Sequence, residues 1–585
     1  MQELRRLKPY LKRHSKIIFF GFVFVTLSNV AAILGPRIIG DTIDLIEREG
    51  FNAAMYSDVL WYVAAFLGTA AFSGVFMYYT RRTIIVASRR IEYELRRDLL
   101  GKLETLPMRA IQQTSTGELM ALGTNDISAT REFLGPAIMY SANTLTRGLF
   151  AIVMMIIASP LLTLYTLIPL PLVSLVTYWI GRKVHVLFRS VQEQYGALTT
   201  TTQENLSGVR VVRSFTREEH EQDEFGQQSK KYLDRNIALV KIQGLMMPLM
   251  VVLIGAAHVI ILFVGGNMAI GGEATIGELT QFFMYVTFLI WPVISIGWVI
   301  NIIQRASASM GRLGRIFDLD VDIQDGRDST AQLDAADGSI EFRNVSFAYQ
   351  EDSPQVLNDV SFTLEAGQTL GIVGATGSGK TTLIRLLTRL YDVNDGQVLV
   401  GGRDVRDYPL EVLRSGIAVV PQESFLFSTT IAENIRFGRP DASMDEVMEA
   451  ADIAQLSDEV RNFEKGWETL VGERGITLSG GQKQRTSIAR AIVRKPVILA
   501  FDDALSAVDT DTEERILRGL DAVVQQRTGI IIAHRISSVK NADKIIVLHD
   551  GRVAESGTHS ELLEHDGLYA DMYQKQLLQE EISRM

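Results

Sequence analysis

The residues 374–382, Gly-Ala-Thr-Gly-Ser-Gly-Lys-Thr-Thr, have the types and spacing of a loop that binds phosphate groups. A strand-like run at 369–373 precedes them and a helical run at 383–390 follows. In such a loop the glycines let backbone N–H groups wrap phosphate oxygens, and the next helix adds its dipole. Lys380 would reach the β- and γ-phosphates, and the Thr381 hydroxyl would ligate Mg²⁺. The candidate nucleotide ligands are Gly374, Thr376, Gly377, Ser378, Gly379, Lys380, Thr381 and Thr382.

A second element that could hold the metal lies further along the chain. The apolar run 497–501 ends in two carboxylates, Asp502 and Asp503. This is a weak signal alone, but downstream of a phosphate-binding loop it is typical of the Walker-B element that anchors Mg²⁺. We therefore predict Asp502 as a metal ligand. Between the two elements, Leu-Ser-Gly-Gly-Gln at 478–482 opens another helical run.

The composition divides the chain into two parts. Residues 1–320 hold 31 Lys and Arg against 25 Asp and Glu, whereas residues 321–585 hold 27 against 43. Short β-rich runs alternate with amphipathic helices over 338–585, which predicts an α/β domain there. The absence of cysteine excludes disulfides and thiolate metal sites, and the net charge of −10 argues against a nucleic-acid partner.

The first part carries six apolar stretches, each near the ~20 residues that a helix needs to cross a bilayer. The predicted membrane-spanning helices are 17–39, 59–79, 138–158, 161–180, 245–264 and 279–303. We therefore predict a membrane all-α domain over 1–320, a linker over 321–337 and an α/β nucleotide-binding domain over 338–585.

The distribution of positive charge predicts the orientation of these helices. Residues 1–16 hold six Lys and Arg, 80–137 hold nine and 181–244 hold ten, whereas the three other loops hold one between them. Because Lys and Arg stay cytoplasmic, we expect a multi-pass protein of the cytoplasmic membrane with both termini and the nucleotide-binding domain inside. The two long loops resemble charged helical hairpins, whose tips we predict near 111–116 and 204–211.

Polar residues interrupt the predicted spans. They are Asn29, Asn143, Arg147, His258 and Asn301. Intramembrane ionisable groups usually face a bundle interior or a water-filled cavity, which makes Arg147 the best candidate for a ligand contact. Snorkelling to the interface, or pairing with a backbone carbonyl, is the alternative for Arg147.

The order of the motifs resembles that of the ABC-transporter ATPases. The phosphate-binding loop, Gln422, Leu-Ser-Gly-Gly-Gln, the Walker-B acid and the lone His534 follow one another in that order. The six-span domain resembles that of ABC exporter half-transporters, so the resemblance covers roughly residues 15–575. It implies ATP and Mg²⁺ as cofactors and ATP hydrolysis coupled to export as the activity.

The resemblance also implies roles for single residues. Tyr349 would stack on adenine, Gln422 would sense Mg²⁺ and the γ-phosphate, and His534 would bond the γ-phosphate. The stretches 471–475 and 506–509 resemble an exporter-specific loop and the D-loop. The residues implied to contact ATP on the opposite subunit are Ser479, Gly480, Gly481 and Gln482.

One position departs from the family pattern. After the Walker-B aspartate the family has a glutamate that positions or polarises the attacking water, and here the residue is Asp503. The shorter side chain withdraws the carboxylate by roughly an ångström, and such a misplacement can cost about 10²-fold in rate. We therefore expect a heterodimer, in which this chain's own site is slow and its intact 478–482 motif completes a competent site on the partner. A homodimer that tolerates the shorter acid is the alternative.

The expected function is ATP-driven export of amphipathic drugs or lipids by a dimer of half-transporters, with ATP sandwiched between two nucleotide-binding domains. A lipid flippase would share every motif, and a regulatory or channel-like ABC protein is a further alternative. The expected partners are a second half-transporter, membrane lipids and an amphipathic small-molecule or lipid substrate, with no nucleic acid.

Overall fold

The computed structural model describes residues 3–50, 55–326, 330–334, 338–350, 353–505, 510–524 and 527–584. They form two compact units. The first comprises Met1–Glu104 and Ser115–Leu319, and the second comprises Thr105–Thr114 and Asp320–Met585. The ten residues 105–114 thus lie between two parts of the first unit in sequence but pack with the second unit.

Six long helices build the first unit, each with a stretch apolar enough to cross a membrane, counted among the described residues. Their bounds are Ser15–Glu49, Tyr56–Thr105, Thr116–Ala158, Pro160–Ser207, Glu218–Ile270 and Ile276–Phe317. The predicted spans occupy parts of these helices; 59–79, for example, lies in a helix of 50 residues, about 75 Å long. π-helical turns interrupt them at Arg81–Ile85, Leu122–Asp126, Phe133–Ala137 and Ile261–Gly265.

The first and sixth long helices approach closely at two glycines. A Cβ atom on Gly277 would lie 2.1 Å from the carbonyl oxygen of Gly40. Next to them, Asp44 accepts hydrogen bonds of 2.7 Å from the Gly277 N–H and from the Thr275 hydroxyl. Thr275 and Glu278 form the capping box that begins the sixth helix. The buried residues Ile33, Met155, Phe282 and Tyr285 form the apolar core of this end of the unit.

Two short helices lie where the hairpin tips were expected. Met108–Gln113 begins after Pro107, three residues before the predicted tip 111–116, and ends within it. The second short helix, Val209–Ser214, follows Gly208, whereas residues 204–207 still belong to the preceding long helix. The helix ends there because glycine is the poorest helix former after proline. A third short helix, Lys8–Arg13, precedes the first long helix.

The second unit is built on two sheets. The strands are β1 (Ile340–Phe347), β2 (Leu357–Leu364), β3 (Thr369–Gly374), β4 (Asp395–Val400), β5 (Arg403–Asp404), β6 (Ile417–Val420), β7 (Ile498–Asp502), β8 (Thr528–Ile532), β9 (Lys544–His549) and β10 (Arg552–Gly557). The larger sheet has the order β10-β9-β3-β8-β7-β6, with β10 antiparallel to its neighbour and the other pairs parallel. The smaller, antiparallel sheet has the order β2-β1-β4-β5.

Helices cover these sheets and complete the predicted α/β class, which is confirmed together with the six-helix membrane class. They are Lys380–Leu387, Leu410–Gly416, Ile431–Arg436, Met444–Ile453, Ser457–Arg461, Gly480–Val493, Thr510–Val524, His559–Glu564 and Leu568–Arg584. The largest apolar core joins both sheets and includes Phe342, Ile372, Leu383 and Ala500.

The described part of the predicted linker 321–337 packs onto the second unit. The Gly326 N–H donates to the carbonyl of Tyr408 at 3.1 Å, and Arg389 donates to the carbonyl of Gln324 at 2.9 Å. Ala331 is buried in the unit's apolar core. The described residues of this predicted linker therefore make backbone and apolar contacts with the domain that follows it.

Candidate nucleotide site

A cavity of roughly 380 Å³ opens where the central parallel strands of the second unit end. Its lining residues are Tyr349, Val356, Thr376, Gly377, Gly379, Lys380, Thr381, Thr382, Gln422, Asp502, Asp503, Ile532 and His534. The predicted phosphate loop, both acids, the glutamine and the histidine thus come together from distant parts of the chain. The carboxyl ends of parallel strands are where α/β folds bind their ligands.

The loop after β3 has the backbone of a phosphate cradle. Gly377 and Gly379 have φ angles of 84° and 100°, which glycine adopts without strain. A Cβ atom on Gly374 would lie 2.2 Å from the Leu548 carbonyl oxygen. The buried Ser378 hydroxyl has no hydrogen-bond partner within the described protein. These glycines and this free donor fit the phosphate groups of a nucleotide.

Lys380 is buried in this loop and faces the acids. Its Nζ donates to the carbonyl oxygens of Gly374 and Ala375, each at 2.9 Å. Burial lowers the pKa of Lys380, and the charges of Asp503 and Asp502 oppose that shift. The ammonium group is therefore hydrogen-bonded to two neutral carbonyls and lies near two carboxylates. A charged phosphate oxygen would be a stronger acceptor than the carbonyls and could replace them.

Thr381 and Asp502 form the pair of oxygens expected to hold the metal. The Thr381 hydroxyl donates to Oδ1 of Asp502 at 2.9 Å. Burial raises the pKa of Asp502, while the hydrogen bond from Thr381 lowers it. A hydroxyl and a carboxylate at the end of a strand are hard oxygen donors of the kind that Mg²⁺ uses beside phosphates, so the pair fits this ion.

Asp503 lies between Gln422 and His534. The Gln422 Nε2 donates to Oδ2 of Asp503 at 3.1 Å, and the His534 Nε2 lies 3.9 Å from the same oxygen. The backbone of Asp503 has a φ of 49°, in the left-handed region that aspartate tolerates better than most residues. The side chains of Gln422 and His534 therefore lie next to the same carboxylate oxygen of Asp503, and all three residues were predicted to act on the terminal phosphate.

Tyr349 forms the rim of the cavity. Its hydroxyl makes hydrogen bonds of 2.9 Å with the Thr382 hydroxyl and with Arg385. Its ring packs edge to face against Phe347 and Tyr391, at centroid distances of 5.0 and 5.1 Å. Sequence reasoning missed Arg385, although its position one helical turn after Thr381 placed it within reach of the site.

The 478–482 motif lies outside the residues that line the cavity. Ser479 and Gln482 form a capping box at the start of the helix Gly480–Val493, and Gln482 also donates to Glu459 at 2.8 Å. Gly480 and Gly481 follow in the first turn of that helix, and the predicted D-loop 506–509 lies outside the described residues. The motif is thus built as a separate, rigid helix N-terminus.

Two family models match the chain, the ABC transporter transmembrane region over residues 18–293 and the ABC transporter domain over residues 357–506. A Bacillus subtilis protein described as a probable multidrug resistance ABC transporter ATP-binding/permease protein is 36% identical over 576 residues, 98% of both chains. The chain belongs to the ABC transporter family. Its second unit is an ABC ATPase domain, whose activity is ATP hydrolysis coupled to transport.

Two further similarities cover both parts of this ABC transporter chain. An ATP-dependent lipid A-core flippase of Syntrophus aciditrophicus is 34% identical over 99% of this chain and 94% of its own. The structure of a bacterial Atm1-family ABC exporter with ATP bound matches with a TM-score of 0.76 at 30% identity, over 97% of this chain and 98% of that one. The predicted exporter architecture, with the membrane and ATPase parts fused in one chain, is confirmed.

The short helix Met108–Gln113 of this ABC transporter belongs to its ATPase unit. Within that unit, Arg109 forms an ion pair with Asp322, and the Tyr391 hydroxyl lies 3.5 Å from Oε1 of Gln112. Tyr391 is also the ring that packs against Tyr349 at the rim of the cavity. Two aromatic rings therefore connect this helix to the nucleotide site.

The polar residues of the spans have mixed surroundings. Asn29 donates to the Thr146 hydroxyl at 2.6 Å and so joins the first and third long helices. The Arg147 guanidinium lies 4.8 Å from the ring centre of Phe288, and its Nε has no hydrogen-bond partner among the described residues. His258 lies 4.9 Å from the ring of Phe283, whereas Asn301 is exposed.

Proposed function

We propose that this chain is one half of a dimeric transporter that exports amphipathic drugs or lipids across the cytoplasmic membrane at the expense of ATP. The observation that carries the proposal is the convergence of Lys380, Thr381, Asp502, Gln422 and His534 on one cavity, in a chain with six helices of membrane-spanning length. The names of the relatives, a multidrug transporter and a lipid flippase, support this substrate class.

Each side chain of the site has one task in this proposal. Lys380 and the loop N–H groups bind the β- and γ-phosphates, Tyr349 stacks on adenine, and Thr381, Asp502 and Gln422 hold Mg²⁺. Bound Mg²⁺ would neutralise the charge of the phosphates. Asp503 orients the attacking water, and His534 donates a hydrogen bond to the γ-phosphate.

The functional unit is a heterodimer. Ser479, Gly480, Gly481 and Gln482 complete the site of a second half-transporter. They do not line the cavity of their own chain, which supports a dimer of either kind. Asp503 is a short acid whose Oδ2 already accepts a hydrogen bond from Gln422, which supports slow turnover at this chain's own site. A homodimer is the alternative.

Transport in proteoliposomes tests the proposal. Lipid-reconstituted protein, with its partner subunit where one exists, should move a fluorescent amphiphile or labelled lipid only with ATP and Mg²⁺, and the substrate should stimulate hydrolysis. Arg147→Gln should weaken the stimulation by anionic amphiphiles more than that by neutral ones, because the buried Nε of the guanidinium has no hydrogen-bond partner among the described residues. Nucleotide-gated ion current without turnover would support a channel-like protein instead.

A further inference from the structure

The loop that carries His534 is held at two backbone atoms by a single side chain. Gln576, on the helix Leu568–Arg584, donates from Nε2 to the carbonyl oxygen of His534 at 2.7 Å. Its Oε1 accepts a hydrogen bond from the N–H of Ile536 at 2.8 Å. A primary amide donates and accepts at the same end of the side chain without carrying charge. The two bonds therefore fix the direction of the backbone as it leaves His534.

The imidazole of His534 depends on this backbone for its position. The side chain is 43% exposed, so few neighbours hold it in place. Its Nε2 lies 3.9 Å from Oδ2 of Asp503, which is too far for a hydrogen bond. On the N-terminal side the chain is anchored at the end of β8, where the Asp503 N–H donates to the carbonyl of Ile532 at 2.9 Å. Gln576 supplies an anchor on the C-terminal side. A side chain with little packing is only as well placed as the backbone that carries it.

The helix that carries Gln576 is itself firmly held. Tyr569 on this helix is 0% exposed and belongs to an apolar cluster that includes Ile536, and Met572 packs against that cluster. The Tyr569 hydroxyl also makes a hydrogen bond of 2.7 Å with Nδ1 of His559. Gln576 therefore joins the histidine loop to a fixed support rather than to a second mobile element.

We propose that Gln576 is a positioning residue for ATP hydrolysis, which holds the peptide groups around His534 so that the imidazole meets the γ-phosphate. The inference rests on the role proposed above for His534. Without the amide, the His534 carbonyl and the Ile536 N–H turn to water and the loop samples other conformations. Turnover then falls, while ATP binding through Lys380 and Thr381 is retained.

The test compares Gln576→Met, which keeps the length of the side chain and removes the amide, with Gln574→Met on the exposed face of the same helix. Hydrolysis at this chain's own site is measured with the full-length protein in lipid nanodiscs. If the assembly is a heterodimer, the catalytic carboxylate of the partner is replaced beforehand. We expect Gln576→Met to lower kcat about tenfold with KM for ATP changed by less than about twofold, and Gln574→Met to change neither.

A double-mutant cycle separates positioning from general loosening of the domain. If Gln576 acts through His534, Gln576→Met lowers kcat by less than about twofold in the His534→Ala background. An unchanged kcat in the single variant, or an equal fall in both backgrounds, would overturn the positioning role. An unchanged kcat in His534→Ala would overturn the proposed role of His534, and the positioning role with it.

Discussion

The amide of Gln422 donates a hydrogen bond of 3.1 Å to the carboxylate of Asp503, at the position where relatives of this architecture are expected to have glutamate. These two residues come from different segments of the ATPase sequence and meet at the mouth of one cavity. The contact connects the residue proposed to sense the metal and phosphate with the residue proposed to orient water. Because Gln422 reaches Asp503 directly, mutagenesis can test whether the length of the acidic side chain at position 503 matters for turnover.

Asp503 should contribute little to turnover in the assembled transporter. We expect this chain alone to hydrolyse ATP slowly, and Asp503→Asn to change the rate of the assembly by less than about threefold, because the shorter acid is displaced from the water. Replacing the partner's catalytic glutamate should remove most of the turnover and leave only the slow hydrolysis at this chain's own site. Steady-state ATPase assays on the chain alone and with its partner decide the question. Rapid, substrate-stimulated hydrolysis by the chain alone that is lost in Asp503→Asn would contradict the heterodimer.

Lys380 should be required for nucleotide binding at this site. Lys380→Ala removes a buried ammonium that is proposed to bind the phosphates, and we expect affinity for an ATP analogue to fall at least about tenfold, as for the loss of a charge-assisted hydrogen bond. Photolabelling of the site checks this. The control Lys465→Ala, at an exposed position of the same domain, should be labelled like the wild type. Wild-type labelling of Lys380→Ala would contradict the role of Lys380 in nucleotide binding.

Magnesium-dependent binding should depend on the ionisation of Asp502. Burial raises the pKa of Asp502, so the carboxyl takes up its proton at a higher pH than an ordinary aspartate, whose pKa is about 3.9. The protonated acid is a poor metal ligand, and the Mg²⁺-dependent part of ATP affinity should therefore fall as pH decreases through the raised value. Titration of a fluorescent analogue at limiting Mg²⁺ measures this fall, and the same titration in EDTA is the control. A magnesium-dependent part that stays flat down to about pH 4 would contradict the prediction.

The second hairpin tip should be needed for coupling. The Val211 N–H donates to the carbonyl of Gly208 at 2.8 Å, so Val211→Pro breaks the short helix Val209–Ser214. The Val211 side chain is 60% exposed, and Val211→Ala should therefore leave the fold and activity unchanged. We expect Val211→Pro to abolish substrate stimulation of ATPase while basal nucleotide binding remains. An unchanged substrate response would show that this tip is not a coupling element.

The orientation of the membrane unit can be tested by single cysteines, since the chain contains none. Glu273→Cys lies in a loop predicted outside, and Gln227→Cys lies in a long loop predicted inside; both positions are exposed. A membrane-impermeant maleimide added to intact cells should label the first variant alone, and permeabilisation should add the second. The reverse pattern would invert the predicted topology.

The parts of the site that are contiguous in sequence could be predicted, and the parts made by long-range packing could not. The phosphate loop follows from its glycines and lysine, because their spacing alone dictates the chemistry. The hydrogen bond between Gln422 and Asp503 depends on where two loops end in space, which no local pattern encodes. Gln576 had no signal, since a glutamine on a polar helix face looks like any solvated residue.

The fold follows the same division. Apolar length predicted the six long helices, and one end of most of them lies close to the end of the apolar run. The other end lies well beyond it, because charged helical sequence continues the helix. The stretch 321–337 is predicted as a linker, and Ala331 within it is buried in the core. A few apolar residues in a polar stretch are too weak a pattern to predict packing.

The ten residues 105–114 have a consequence for how such proteins can be recombined. They fold with the ATPase although some 200 residues separate them from it along the chain. An ATPase portion cut at residue 320 leaves Asp322 without Arg109 and Tyr391 without Gln112. Exchange of ATPase domains between transporters is therefore constrained by the segment 105–114. A transplanted ATPase domain can join a foreign membrane domain only if the corresponding segment of that membrane domain carries side chains that match the residues equivalent to Asp322 and Tyr391.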